Sequence, residues 1–195
     1  MRSVDYHFVF RALLGADSEC GDAGIIKEYD DQCFLALIDA VGHGKIAHHI
    51  ARLACDHLER HFSDDLVTLM HGLHGHLKGT RGIVTALCRL DIPTGDLKYV
   101  GIGNICVKIL GPRAVTFVPR DGVVGWVAPT PREQHRRLFP GDTLVMYSDG
   151  IRDHFDPLDC AELFSGTAET IANGLLRQFG KNEDDASCIA LRYLA

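Results

Sequence analysis

Carboxylates beside glycines, or at the ends of apolar runs, recur in four short motifs of this chain. They are Cys20-Gly21-Asp22, Ile38-Asp39-Ala40-Val41-Gly42-His43-Gly44, Tyr147-Ser148-Asp149-Gly150 and Glu183-Asp184-Asp185-Ala186-Ser187. Asp39 closes the run from Cys33 to Ile38, and Asp149 follows the run from Thr143 to Tyr147. Acids at the ends of several strands can converge on one point, where they would repel one another without a cation between them. Hard divalent ions such as Mg²⁺ or Mn²⁺ take oxygen ligands and are the usual counter-charge. Asp39, Asp149 and Asp184, with Asp22 close by, make a four-carboxylate set that balances two such ions. Two ions roughly 3.5–4 Å apart can share a water, lower its pKa and aim it at phosphorus. They also neutralise charge on phosphoryl oxygens. The small residues after Asp39 leave room for main-chain carbonyls and a phosphate, and a helix beginning there favours an anion at its N-terminus. Taken singly, each motif also reads as an ordinary cap or turn, because Asp-Gly is a common turn pair.

The elements that must position these acids can be read from periodicity. Val4 to Leu14 reads as a first strand and Phe34 to Asp39 as a second, buried one. After Gly44 the period changes. Ile46, Ile50, Leu53/Ala54 and Leu58 recur at helical steps, so an amphipathic helix ends near His61. Ser63-Asp64-Asp65 offers an N-cap for a second helix carrying Leu66, Leu69, Met70 and Leu73, with Gly72 and Gly75 weakening its end. Strands follow at Ile83 to Leu90, Leu97 to Val100 and Ile105 to Leu110, the first two joined by the turn Asp91 to Asp96. Residues 111 to 140 read as irregular. A strand at 142–148 comes next, then a helix near 166–179 with Gly180 suited to its C′ position, then a last strand from Ser187 to Tyr193. Strands in hairpin order with few helices between them predict an α+β fold, two antiparallel sheets packed face to face with helices outside.

Composition narrows the class. The 195 residues are 46% hydrophobic and 24% charged, enough for one domain with a real core. A net charge of −6 argues against a general nucleic-acid binder, and no apolar run approaches the roughly 20 residues that span a bilayer. The N-terminus, with Asp5 and no long apolar run, does not read as a signal peptide. Seven cysteines stand singly, mostly in apolar runs, which suits buried free thiols in a reducing cytoplasm. Eight of the eleven histidines fall between residues 43 and 76. His57 and His61 share a helix face, but nothing completes a four-ligand zinc set at familiar spacing.

In their order, the acidic motifs resemble those of the PPM family of metal-dependent serine/threonine phosphatases, in its bacterial SpoIIE-like branch. The resemblance runs through Gly21-Asp22, Asp39 to Gly44, Arg81-Gly82-Ile83-Val84-Thr85-Ala86, Gly103-Asn104, Ser148-Asp149-Gly150 and Asp184-Asp185, from about residue 15 to the C-terminus. It implies an αββα sandwich, a single phosphatase domain over residues 1–195, and a site at one edge of the two sheets. It implies that Asp39 bridges two Mn²⁺ or Mg²⁺ ions with the Ala40 carbonyl on one of them, and that Asp149 and Asp184 hold the other. Asp22 would act at the first ion, directly or through water, and Asp185 would support. The implied substrates are phosphoserine or phosphothreonine on STAS-domain proteins of a stressosome-like complex in the cytoplasm. The chain departs from the family pattern in three places. Ala40 stands where a Gly is usual. Val41 occupies the place of the general-acid His of eukaryotic relatives, leaving His43 as the candidate. No residue matches their phosphate-binding Arg. Residues 111–140 carry Arg113, Arg120, Arg132, Arg136 and Arg137 against Asp121 and Glu133, a charge of +3 where relatives place a variable flap. A catalytically weak binding module of the same complex stands as the alternative reading.

Overall fold

The stretch Gln32–Ala40 is apolar at nearly every position, and its surroundings explain why. Phe34, Ala36 and Ile38 pack against helices on one face, while Cys33, Leu35 and Leu37 pack against a second sheet on the other. A strand covered on both faces has no solvent side to mark with polar residues.

The computed structural model describes residues 2–153 and 160–195. Among these residues are ten strands in two five-stranded sheets. One sheet has the order β1 (Ser3–Arg11), β10 (Ala186–Leu194), β9 (Thr143–Tyr147), β6 (Cys106–Leu110) and β7 (Val115–Thr116). The other has the order β2 (Asp22–Tyr29), β3 (Gln32–Ala40), β4 (Ile83–Asp91), β5 (Asp96–Ile102) and β8 (Gln134–Arg137). Every neighbouring pair is antiparallel. Helices α1 (Gly44–His61) and α2 (Leu66–His76) cover the outer face of the β2–β8 sheet. On the far side, α4 (Ala168–Phe179), preceded by the single-turn α3 (Ala161–Phe164), covers β9 and β10. The layers are therefore helix, sheet, sheet, helix, as expected from the sequence.

Several local expectations are refined. Asp22–Tyr29 is a strand that periodicity did not reveal; it joins β3 through Asp30 and Asp31, both left-handed at φ 44° and 62°. That turn matches the twist of the strands it connects. The apolar stripe of α1 begins at Ala47, because Ile46 is 56% exposed. Asp65 caps α2, accepting from the amides of Val67 and Thr68 at 3.1 and 2.9 Å, and the helix runs through Gly72 and Gly75 to His76. Residues 111–140 are mostly irregular but contain the short β7 and β8. Gly180 is extended (φ −63°) rather than left-handed. It is small because a Cβ there would lie 2.4 Å from the Leu176 carbonyl oxygen.

Candidate functional site: an acid cluster at one end of the sandwich

Asp22 opens β2 and Asp39 stands one residue from the end of β3, and the register sets them directly opposite each other. Asp39 also continues the alternation of Cys33, Leu35 and Leu37, the positions that face the second sheet. That sheet brings its own acids to the same end. Asp149 follows β9, Asp184 and Asp185 precede β10, and these two strands pair from Tyr147↔Cys188 onward. Antiparallel pairing thus collects residues from distant parts of the chain at one end.

Hydrogen bonds fix most of the cluster. Ser148 donates its hydroxyl to Asp22 Oδ2 at 2.6 Å, and Ser148 Oγ accepts from the Ser187 amide at 3.0 Å. Asp185 is buried with both oxygens occupied: Oδ1 accepts from the Leu13 amide and Oδ2 from the Gly21 amide, each at 2.7 Å. Asp184 Oδ1 accepts from the Asp185 amide at 2.9 Å. Asn104, in the connection that crosses from β5 in one sheet to β6 in the other, donates Nδ2 to Asp149 Oδ2 at 2.8 Å. Gly150 lets this end close, since a Cβ there would lie 1.9 Å from the Asp185 carbonyl oxygen. In the loop before α1, Gly42 and Gly44 both take positive φ, 98° and 76°. A side chain would be strained at either position.

The electrostatics are those of acids crowded against one another. Burial, then the charges of Asp22, Asp149, Asp184 and Asp185, push Asp39 up to about 9. Burial pushes Asp22 up to about 7, with the Ser148 and Ser187 bonds acting against it and Asp185 and Asp184 with it. Asp184 is raised by burial and then by Asp149. Among the described residues, no Lys or Arg forms an ion pair with Asp22, Asp39, Asp149 or Asp184.

Such a set of oxygen donors suits hard divalent cations. Gly21 adds room: a Cβ on it would come within 3.3 Å of both the Ala40 carbonyl oxygen and Asp185 Oδ2. Among the described residues no three His, Cys, Asp or Glu side chains are already gathered into a metal-holding arrangement. The structure thus brings Asp22, Asp39, Ala40, Asp149 and Asp184 to one end of the sandwich, with Asp185 engaged by backbone amides. Ser148 and Asn104 lay inside recognised motifs without a role; their positions beside Asp22 and Asp149 supply one. His43 is exposed at the N-cap of α1 and makes no cap hydrogen bond. His57 stacks on His76 and packs at a tilt against His61, with ring centroids at 4.9 and 4.7 Å, away from this cluster on α1 and α2.

A hollow of about 620 Å³ opens beside Asp149, lined by Asn104, Phe117, Pro119, Tyr147, Arg152 and Lys181 among others. Another, of about 740 Å³, lies at the opposite end of the β2–β8 sheet around Gln32, Asp91 and Asp96 and is lined by none of Asp22, Asp39, Asp149, Asp184 or Asp185.

Comparison with known proteins gives this arrangement a family. A family model described as stage II sporulation protein E (SpoIIE) matches residues 29–194. The phosphoserine phosphatase RsbX of Bacillus subtilis (strain 168) is 22% identical over 180 residues, spanning 88% of this chain and 86% of its own. A solved chain from the bacterial stressosome, described as a modular system that has been adapted to control secondary messenger signaling, is 32% identical. It superimposes with a TM-score of 0.90 and covers 97% of this chain and 100% of its own. The crystal structure of RsbX in complex with magnesium superimposes with a TM-score of 0.81 at 18% identity, over 98% of this chain and 95% of its own. At that identity the likeness is one of fold.

Paired antiparallel sheets between helices, with acids collected at one end, define a PP2C-like phosphatase of the PPM type. The chain belongs to the SpoIIE family of that class.

Proposed function

We propose that this protein is a metal-dependent phosphoserine/phosphothreonine protein phosphatase, with residues 1–195 as one phosphatase domain, working in the cytoplasm on phosphorylated STAS-domain proteins of a stressosome-like complex. The observation that carries the reading is the meeting of Asp22 and Asp39 from one sheet with Asp149 and Asp184 from the other, where no Lys or Arg among the described residues forms an ion pair with them. Family membership and the likeness to RsbX support it.

Asp39, with the Ala40 carbonyl and Asp22, would hold one divalent cation, Asp39 and Asp149 with Asp184 a second, either Mn²⁺ or Mg²⁺. When bound, such ions supply a water of lowered pKa and neutralise charge on the phosphoryl oxygens. The chain's own residues set the geometry around them. Ser148 fixes Asp22, Asn104 fixes Asp149, and Asp185 pins the backbone at Leu13 and Gly21. Groups that orient ligands in this way typically matter nearly as much as the ligands. His43 is exposed at the start of α1 with no cap hydrogen bond to hold it over the cluster, so protonation of the departing serine or threonine is assigned to solvent.

The test is phosphate release from phosphorylated STAS-domain proteins, with and without Mn²⁺. Release that needs the metal and is lost in Asp39→Asn and Asp149→Asn is expected. Full activity in a metal-stripped sample would overturn the metal mechanism. Calorimetry showing no Mn²⁺ binding would favour a binding module instead.

A further inference from the structure

Three exposed arginines outside the acid cluster form no ion pair among the described residues. Arg120, Arg132 and Arg136, with Val118, Pro119, Glu133 and Gln134, line a concavity of about 350 Å³. Glu133 is engaged elsewhere: its Oε1 lies 2.8 Å from His135 Nε2 and 3.7 Å from Lys98 Nζ. Gln134 braces the wall by donating to the Val118 carbonyl at 2.7 Å, and the Arg136 guanidinium lies 6.0 Å from the Phe117 ring centroid. The Arg136 guanidinium also donates to the His135 carbonyl at 2.7 Å, and guanidinium groups match carboxylate and phosphoryl oxygens two at a time. The gathering is the more notable in a chain of net charge −6.

The concavity is tied to the acid cluster. The Arg120 amide donates to the Gly101 carbonyl at 3.0 Å, and the Gly103 amide donates to the Arg120 carbonyl at 2.8 Å. The next residue, Asn104, holds Asp149. Pro119 lines both this concavity and the hollow beside Asp149, so the two share a wall.

We infer that the Arg120–Arg132–Arg136 concavity is an oxyanion-binding site that receives an acidic flank of the phosphoprotein, either carboxylates or a second phosphoryl group, while the phosphoserine or phosphothreonine occupies the acid centre. This rests on the phosphatase reading above, and it names a feature the substrate must carry. The site selects by binding; it takes no part in bond cleavage.

The test compares wild type with Arg132→Gln/Arg136→Gln, two exposed side chains outside the acid cluster. The substrates are para-nitrophenyl phosphate and three phosphoserine peptides, one with neutral flanks, one glutamate-rich and one with a second phosphoserine. Wild type is expected to show a KM for an acidic peptide about tenfold below that for the neutral one, as charge-assisted contacts allow. The double variant should lose that preference with kcat and para-nitrophenyl phosphate turnover unchanged. A gain confined to the glutamate peptide, or to the doubly phosphorylated one, supports the site and identifies the oxyanion. Equal KM values for neutral and acidic peptides in wild type, or a preference that survives in the double variant, would overturn it. Fluorescence anisotropy of the same peptides on Asp39→Asn protein, with and without the arginine changes, reads capture independently of turnover. If wild type hydrolyses none of these substrates, the phosphatase reading has failed. The anisotropy then still decides the arginine site: it stands if acidic peptides bind and the double variant releases them, and falls otherwise.

Discussion

Asp22 and Asp39 face each other on adjacent antiparallel strands, a position at which like charges ordinarily destabilise a sheet. The pair is tolerated at a cost, and that cost makes a measurable signature. Asp39→Asn removes a half-buried carboxyl whose ionisation four other acids oppose. In EDTA at about pH 9, where the wild-type carboxyl begins to ionise, the variant should melt roughly 3–6 °C above wild type, while metal-dependent phosphatase activity falls by about 100-fold or more. Calorimetric melts and phosphate-release assays on the same preparations check both halves.

A second consequence is a dependence of metal-free stability on pH. In the unfolded chain both carboxyls titrate near ~3.9; in the folded chain Asp22 is pushed up to about 7 and Asp39 to about 9. Between those limits the folded state holds protons that the unfolded state has shed, so stability from these groups falls as pH rises. It is fully present below the unfolded value and gone once pH has passed the folded ones. Urea midpoints in EDTA should lose this contribution from about pH 4 to about pH 9. Added Mn²⁺ should flatten the decline, and Asp39→Asn should reduce it without metal.

Asn104→Ala keeps the β5–β6 connection but removes the bond that orients Asp149. Mn²⁺ affinity or activity should drop by about 10- to 100-fold. The melting temperature in EDTA should barely change, because Asn104 is exposed. Isothermal titration separates the two: unchanged affinity together with unchanged activity would leave Asn104 without a positioning role.

His43 offers a sharp contrast. A side chain that protonates the leaving group contributes roughly 10²- to 10⁴-fold, whereas an exposed helix-start histidine contributes little. His43→Ala should therefore retain activity within about threefold of wild type, well short of the loss of a general acid. A loss of more than about 100-fold in kcat would restore His43 to that role.

The acids were legible in the sequence because each sits at a chemically marked boundary, an apolar run meeting a carboxylate or a glycine. The layers were legible because β3 and β9 are apolar at nearly every position and α1 and α4 are periodic. β2 was not. Gly24 reads as a breaker in its middle, yet the Phe8 ring fills the place a Cβ would need, 2.5 Å away. A contact from the other sheet dictates that glycine. The Asp30-Asp31 turn lacks the glycine that marks most turns of its kind. β8, Gln-His-Arg-Arg, lies at a sheet edge with most of its residues exposed, so it carries no alternation to read. The contacts of Asn104 with Asp149 and of Ser148 with Asp22 span 45 and 126 positions. No local pattern encodes them; they follow from the pairing of strands.

The Asp185 carboxylate joins amides 172 and 164 positions earlier, at Leu13 and Gly21. Nearly the whole chain is therefore enclosed in a single loop closed at the acid cluster. Contacts that distant form slowly, after local helices and hairpins. No fragment or half-folded intermediate can carry the centre. During refolding, helical signal should return ahead of catalysis, and recovered turnover would report that the two ends of the polypeptide have found each other.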